Sequence, residues 1–137
     1  MMPTALKGAP DRELAERLLK ESLELDLITT GRKTGKARTV ELWFVYEDGL
    51  VWFLSEKDGN GPTTHWARNL LVNPEASLKI GRVVYRARST RLEDSERQVP
   101  LLLDAYREKY GHATVSQYYG GRPRMPFALR ITWPRSR

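Results

Sequence analysis

Leu25-Asp26-Leu27-Ile28-Thr29-Thr30, then Gly31-Arg32-Lys33-Thr34-Gly35-Lys36-Ala37-Arg38, then Thr39-Val40-Glu41-Leu42-Trp43-Phe44-Val45-Tyr46: the reading of this chain turns on these 22 residues. The first segment shifts to β-branched residues and stops at a glycine, which reads as a strand. The last alternates, with Val40, Leu42, Phe44 and Tyr46 on one face and Thr39, Glu41, Trp43 and Val45 on the other, which reads as a second strand. Between them lies a basic turn with two glycines. The Glu47-Asp48-Gly49 turn sends the chain back into Leu50–Ser55, so 39–46 and 50–55 are expected to form a hairpin through an Asp-Gly signal.

Upstream, residues 1–9 read as a loose arm. Asp11 reads as the cap of an amphipathic helix over roughly 11–23, with Leu14, Ala15, Leu18 and Leu19 at helical spacing. Downstream, 56–64 is rich in Gly and Pro and reads as a flexible loop. Thr63 or Thr64 can cap a short helix, 65–71, which must stop near Asn73 because Pro74 disfavours helix in the preceding residue. Strands are expected at 76–80 and 83–92, and a helix at about 94–110 in which Pro100 is a kink or the true start. A linker holding Gly120-Gly121 leads to a last strand, 127–133. Consecutive strands joined by tight turns argue for an α+β, mainly β fold: a single domain over 1–137, built as a small antiparallel split β-barrel with peripheral helices.

Composition narrows the chemistry. A chain of 137 residues with 40% hydrophobic and 29% charged residues is globular, not disordered. Zero cysteines exclude disulfides, thiol nucleophiles and iron–sulfur ligation, and only His65 and His112 remain as histidines, so no metal site is expected. No apolar run approaches the roughly 20 residues needed to span a bilayer, and a cytoplasmic protein without integral membrane contact is expected. The 23 Lys+Arg against 17 Asp+Glu leave a net charge of +6, which points to an anionic partner without saying which.

Four constellations are candidates. The turn 31–38 combines glycines, which let backbone amides approach a ligand, with Lys33, Thr34 and Arg38, donors suited to phosphate oxygens. It has neither the Walker nor the Rossmann spacing, and the same residues could form a plain solvated hairpin turn. Thr64-His65-Trp66-Ala67-Arg68-Asn69-Leu70 puts His65 and Asn69 on one helix face, though Trp66 and Leu70 could simply anchor a surface helix. Arg86, Arg88 and Thr90 alternate along a strand, as a charged edge or as part of a positive groove. Tyr118 and Tyr119, before Gly120-Gly121, could cover a pocket or pack a loop. No nucleophile elbow or His-Glu-x-x-His motif occurs, so enzymatic chemistry here would be a cofactor's.

Taken together, Leu27-Ile28-Thr29-Thr30-Gly31-Arg32-Lys33-Thr34-Gly35, Arg38, Trp66-Ala67-Arg68-Asn69-Leu70 and Asn73-Pro74 closely resemble the deazaflavin (F420)-dependent nitroreductase family. That family is a branch of the flavin-binding split β-barrels related to pyridoxamine-phosphate oxidase. The resemblance runs from about residue 25 to 92 and implies an oxidoreductase that passes a hydride from reduced F420 to a quinone, nitroaromatic or activated alkene. It implies that Arg32, Lys33, Thr34, Gly35 and Arg38 hold the anionic part of F420. The strand residues Glu41 to Trp43 would face its ring, Ser55 would also contact the cofactor, and Trp66 and Asn69 would line the phosphate and ring side. Tyr118 and Tyr119 would cover the substrate. Ala37 and Glu41 stand where many relatives carry proline. FMN is the alternative cofactor, and a nucleic-acid-binding or non-catalytic carrier module the alternative function. A small-molecule electron acceptor and a homodimer are the expected partners, and nucleic acid is not.

Overall fold

The computed structural model describes residues 9–92 and 95–134. The basic turn joins two antiparallel strands, β1 (Leu25–Thr30) and β2 (Ala37–Leu42), in register from Leu25↔Leu42 to Thr30↔Ala37. The strand expected over 39–46 is broken: β2 ends at Leu42, and β3 (Val45–Glu47) pairs instead with β4 (Leu50–Asp58). The alternation survives the break. Val40, Leu42, Phe44 and Tyr46 all pack on one core, whereas Trp43 and Val45 pack on another. The Asp48-Gly49 turn behaves as expected, both residues taking positive φ, 56° and 73°, the twist that matches two flanking strands.

The break is held by a helix. α3 (Ser95–Tyr110) supplies side chains for the backbone groups that no ladder serves. The Tyr106 hydroxyl donates to Trp43 O at 3.1 Å, Lys109 Nζ donates to Phe44 O at 2.9 Å, and Phe44 N donates to the Tyr110 hydroxyl at 3.0 Å. A phenol has one proton, and with Phe44 O served by Lys109, that of Tyr110 goes to Leu23 O at 2.6 Å.

Beyond β4 come β5 (Gly61–Pro62), α2 (His65–Val72), β6 (Glu75–Ile80), β7 (Val83–Thr90), α3, α4 (His112–Tyr119) and β8 (Arg124–Ile131), with α1 (Ala9–Glu21) ahead of β1. The sheet order is β2-β1-β6-β7-β8-β4-β3, every pairing antiparallel, curled into a half-barrel. Its inner face buries Leu27, Leu78, Leu129 and Phe53 under Ala15 and Leu19 of α1 and Trp66 and Leu70 of α2. The Trp66 ring meets Phe53 and Phe127 edge-on at 5.8 and 5.3 Å. On the other face, Leu102, Tyr106 and Val115 from α3 and α4 cover Val45 and Leu54.

Several local expectations are corrected. The arm at 1–9 falls almost wholly outside the described residues, and the first helix starts at Ala9, so Asp11 is inside it. The loop expected over 56–64 is the end of β4 paired with β5, turned by Asp58 Oδ1 accepting from Asn60 N at 2.8 Å. Pro100 is not the start of α3, which begins at Ser95. The linker expected around 116–119 is helical: Gly111, at φ 93°, ends α3 and lets the chain restart as α4. The final strand begins three residues early, at Arg124.

Candidate functional site

β4 has nine residues and β3 only three, so past Trp52 one side of β4 has no long partner strand. β2 is an edge strand, and between it and the β5–α2 segment the half-barrel stays open. A cavity of about 640 Å³ occupies this split, lined by Arg38, Thr39 and Val40 of β2, Thr29 of β1, the turn residues Gly31 to Thr34, and Thr63 to Trp66 with Asn69. It presents three basic side chains, Arg32, Lys33 and Arg38, and no carboxylate. Lys33 and Arg38 make no ion pair among the described residues, and the Arg32 side chain meets Asn69 and His65 but no carboxylate. Uncompensated cations at one mouth are the electrostatics of an anion site.

The turn is built for close approach. Gly35 N donates to Gly31 O and Gly31 N to Lys36 O, each at 2.8 Å, closing the loop on itself. A Cβ on Gly31 would stand 2.8 Å from Thr34 Oγ1 and 3.2 Å from Lys36 O, and Gly35 sits at φ 72°. Buried Asn69 anchors this turn to α2. Its Oδ1 accepts from Arg32 N at 3.1 Å and from Arg32 Nη1 at 2.8 Å, while its Nδ2 donates to Thr29 Oγ1 at 3.1 Å. Arg32 Nη2 lies 3.3 Å from His65 Nδ1. The guanidinium is therefore fixed at the rim before any ligand arrives.

A family model for F420H(2)-dependent quinone reductase matches residues 10–126. The chain belongs to the F420H(2)-dependent quinone reductase family. Among solved structures it is similar to an F420-H2 dependent reductase (FDR-A), 27% identical over 81% of this chain and 95% of that one, with TM-score 0.51. It is also similar to a domain-swapped dimer, 27% identical over 88% and 96% of the two chains, TM-score 0.54. The fold alone extends to the heme storage protein HutZ from Vibrio cholerae, 18% identical over 93% and 92%, TM-score 0.63.

Of the residues singled out in this F420H(2)-dependent quinone reductase family member, Arg32, Lys33, Thr34, Arg38, Trp66 and Asn69 converge on the cavity. In the 64–70 segment Trp66 and Leu70 anchor α2 in the core, as plain packing would have it, while Asn69 of the same helix holds the basic turn. Six others expected to contact cofactor or substrate do not line the cavity, and neither do Arg86, Arg88 and Thr90 of β7. Gly35 shapes the turn from outside, and exposed Glu41 lies on the sheet's outer face opposite Asp26. Ser55 is fully buried behind the lining: its hydroxyl donates to Glu56 O at 2.8 Å and so accepts from Thr64 Oγ1 at 2.7 Å. That contact takes the Thr64 hydroxyl, which consequently makes no side-chain cap to α2. Trp43, at the far end of β2, stacks on Tyr110 with ring centroids 4.7 Å apart and meets the edge of Tyr118 at 5.3 Å. Tyr119 packs against Tyr106 at 5.2 Å, in the second core. The residues missed are Thr29, Thr39, Val40 and Thr63. Thr29 had a signal, since strand alternation sets it inward with Leu25 and Leu27.

No group of three or more side chains able to hold a metal ion occurs among the described residues. No helix among them is long and apolar enough to cross a membrane.

Proposed function

We propose that this chain is an F420-dependent oxidoreductase that rests the phosphate and carboxylate tail of its cofactor on Arg32, Lys33 and Arg38. Its acceptor is a small electrophile: a quinone, nitroarene or activated alkene. The observation that carries this reading is the trio of cations without a carboxylate partner at the mouth of a cavity walled by Trp66 and Val40. The residues present fit such a group, since a pre-fixed guanidinium and two free cations suit phosphate and carboxylate oxygens. When bound, reduced F420 supplies a hydride, so the protein needs no nucleophile of its own. The chain's residues bind and orient. Asn69 aims Arg32, Lys33 and Arg38 offset the anionic charge, and Trp66 and Val40 keep water from the apolar side.

The reading extends along β2. Trp43 follows the last residue of β2, whose run from Arg38 to Leu42 is about 13 Å at 3.3 Å per residue, a span suited to a long cofactor with its anion at one end and its ring at the other. Trp43 would then border the ring, which Glu41 on the outer face would not reach, and Tyr118, exposed beside Trp43, would cover the acceptor with Tyr119 behind it. We place the protein in the cytoplasm and assign its basic excess to the cofactor rather than to nucleic acid. The likeness to a domain-swapped dimer supports a homodimer, for which analytical ultracentrifugation is the check.

Fluorescence titration with F420 tests the reading. Binding at or below micromolar concentration is expected, followed by acceptor-dependent oxidation of the reduced form. Failure to bind F420 where FMN binds well overturns the cofactor assignment, and binding without turnover over an acceptor panel makes the protein a carrier.

A further inference from the structure

On the side of the molecule where α1, β3 and α3 meet, a second cavity of about 270 Å³ is lined by Leu19, Lys20, Val45, Tyr46, Glu47, Ala105, Glu108 and Lys109. Lys109 is half-buried at its edge. Its Nζ donates to Phe44 O at 2.9 Å and lies 3.5 Å from the centre of the Phe44 ring and 5.2 Å from that of Tyr110. The charged and titratable groups around the amine are Lys20 of α1, Tyr46 and Glu47 of β3, and Glu108 and Tyr110 of α3. None forms an ion pair with it. Desolvation accordingly lowers its pKa from 10.5 to about 8, leaving far more free amine at neutral pH than an ordinary lysine carries.

We propose that Lys109 is an acylation site that takes short acyl groups from activated donors, thioesters or acyl phosphates. The amine nitrogen attacks the acyl carbonyl, the C–S or C–O bond to the leaving group breaks, and the nitrogen sheds a proton to solvent. The products are a Lys109 amide and the free thiol or phosphate, with no change of oxidation state. Three features favour the product. An amide is neutral, so the desolvated charge disappears. The amide N–H keeps a donor for Phe44 O, so the break between β2 and β3 stays capped. A chain of two to four carbons can lie against Leu19, Val45 and Ala105 inside the cavity.

The intact protein tests this by peptide mass spectrometry after brief exposure to acetyl phosphate or, in a second arm, acetyl-CoA. Lys109 is expected to be acetylated about tenfold faster than exposed Lys20, Lys33, Lys36 and Lys79, with a rate that rises with pH and levels above about 8. Acetylation in one arm only identifies the donor class. The fully acetylated protein should keep its near-UV circular dichroism. Lys109 labelling no faster than those four lysines overturns the proposal. So does labelling that occurs only as the native spectrum is lost, because reaction would then come from the unfolded chain.

Discussion

Asn69 and Arg32 are joined twice, the single Oδ1 of Asn69 accepting both the Arg32 backbone N–H at 3.1 Å and its guanidinium Nη1 at 2.8 Å. One buried amide thus fixes both the path of the basic turn and the direction of the cation it carries. Replacing Asn69 separates the two roles. Asn69→Leu orphans the Arg32 amide and the Thr29 hydroxyl, and should cost about 1–3 kcal/mol of stability in urea unfolding and at least about tenfold in F420 affinity. Asn69→Asp keeps the acceptor but sets a negative charge among the cations, so stability should stay near wild type while affinity falls by a similar factor. Equal affinity in Asn69→Asp and wild type would count against an anion at this rim.

Lys33 and Arg38 are exposed and unpaired, so Lys33→Ala and Arg38→Ala should change stability by no more than about 0.5 kcal/mol. With F420 held as proposed, each would remove a charge-assisted contact worth about 1.5–3 kcal/mol and should weaken F420 about ten- to a hundredfold. Binding measured at rising ionic strength should show a shallower salt dependence in either variant.

Tyr118→Ala tests the far end of the proposed ligand path. The side chain is 56% exposed, so the fold should tolerate its loss. Acceptor kcat/KM should drop with the F420 Kd unchanged. Unaltered steady-state kinetics would remove Tyr118 from the acceptor site.

Gly35→Ala forces an L residue to φ 72° and should cost about 1–2 kcal/mol, with Gly35→Asn costing less because Asn tolerates this region. Thermal melts of the pair read the difference directly.

Stability should depend on pH through Lys109 with a definite sign. Its pKa is about 8 when folded and 10.5 when unfolded, so between those values the unfolded chain binds more protons and folding gains as pH rises. The gain is complete above 10.5 and lost as pH falls through about 8. Tyr46, raised to about 12 by burial and by its hydrogen bond to Glu16, and buried Tyr106 act oppositely, destabilising the fold above pH 10. Urea unfolding of wild type and Lys109→Met across pH 7–10 should show the Lys109-dependent rise in wild type alone.

What could be read from the sequence follows the range of each interaction. The β1–β2 hairpin, the Asp48-Gly49 turn and the inward faces of the strands depend on neighbours a few residues away, and alternation with turn chemistry reveals them. The rim of the site depended on residue types: glycines and cations at one turn, Trp66 and Asn69 on one helix. The break after Leu42 left no mark, because its cause lies on α3. Nothing in Trp43-Phe44 announces that Tyr106, Lys109 and Tyr110 will take its backbone groups. The course of 116–119 was obscured by its flanking glycines, which read as a linker although Gly111 restarts a helix. Tyr119 sits in the second core for the same reason, carried there by a helix that α3 supports.

The caps on Trp43 and Phe44 also impose an order of events during synthesis. They come from residues 63, 65 and 66 positions further along the chain. The β1–β2 hairpin, with its basic turn, can form as soon as it leaves the ribosome, since its contacts are local. The bend that parts β2 from β3, and so opens the split, has to wait until α3 has emerged. A nascent chain halted before residue 106 should therefore hold the anion-binding turn without the cleft that gives it a ligand, and ligand-dependent protection from proteolysis should begin only once α3 and then β8, which joins β4 to β7, have emerged.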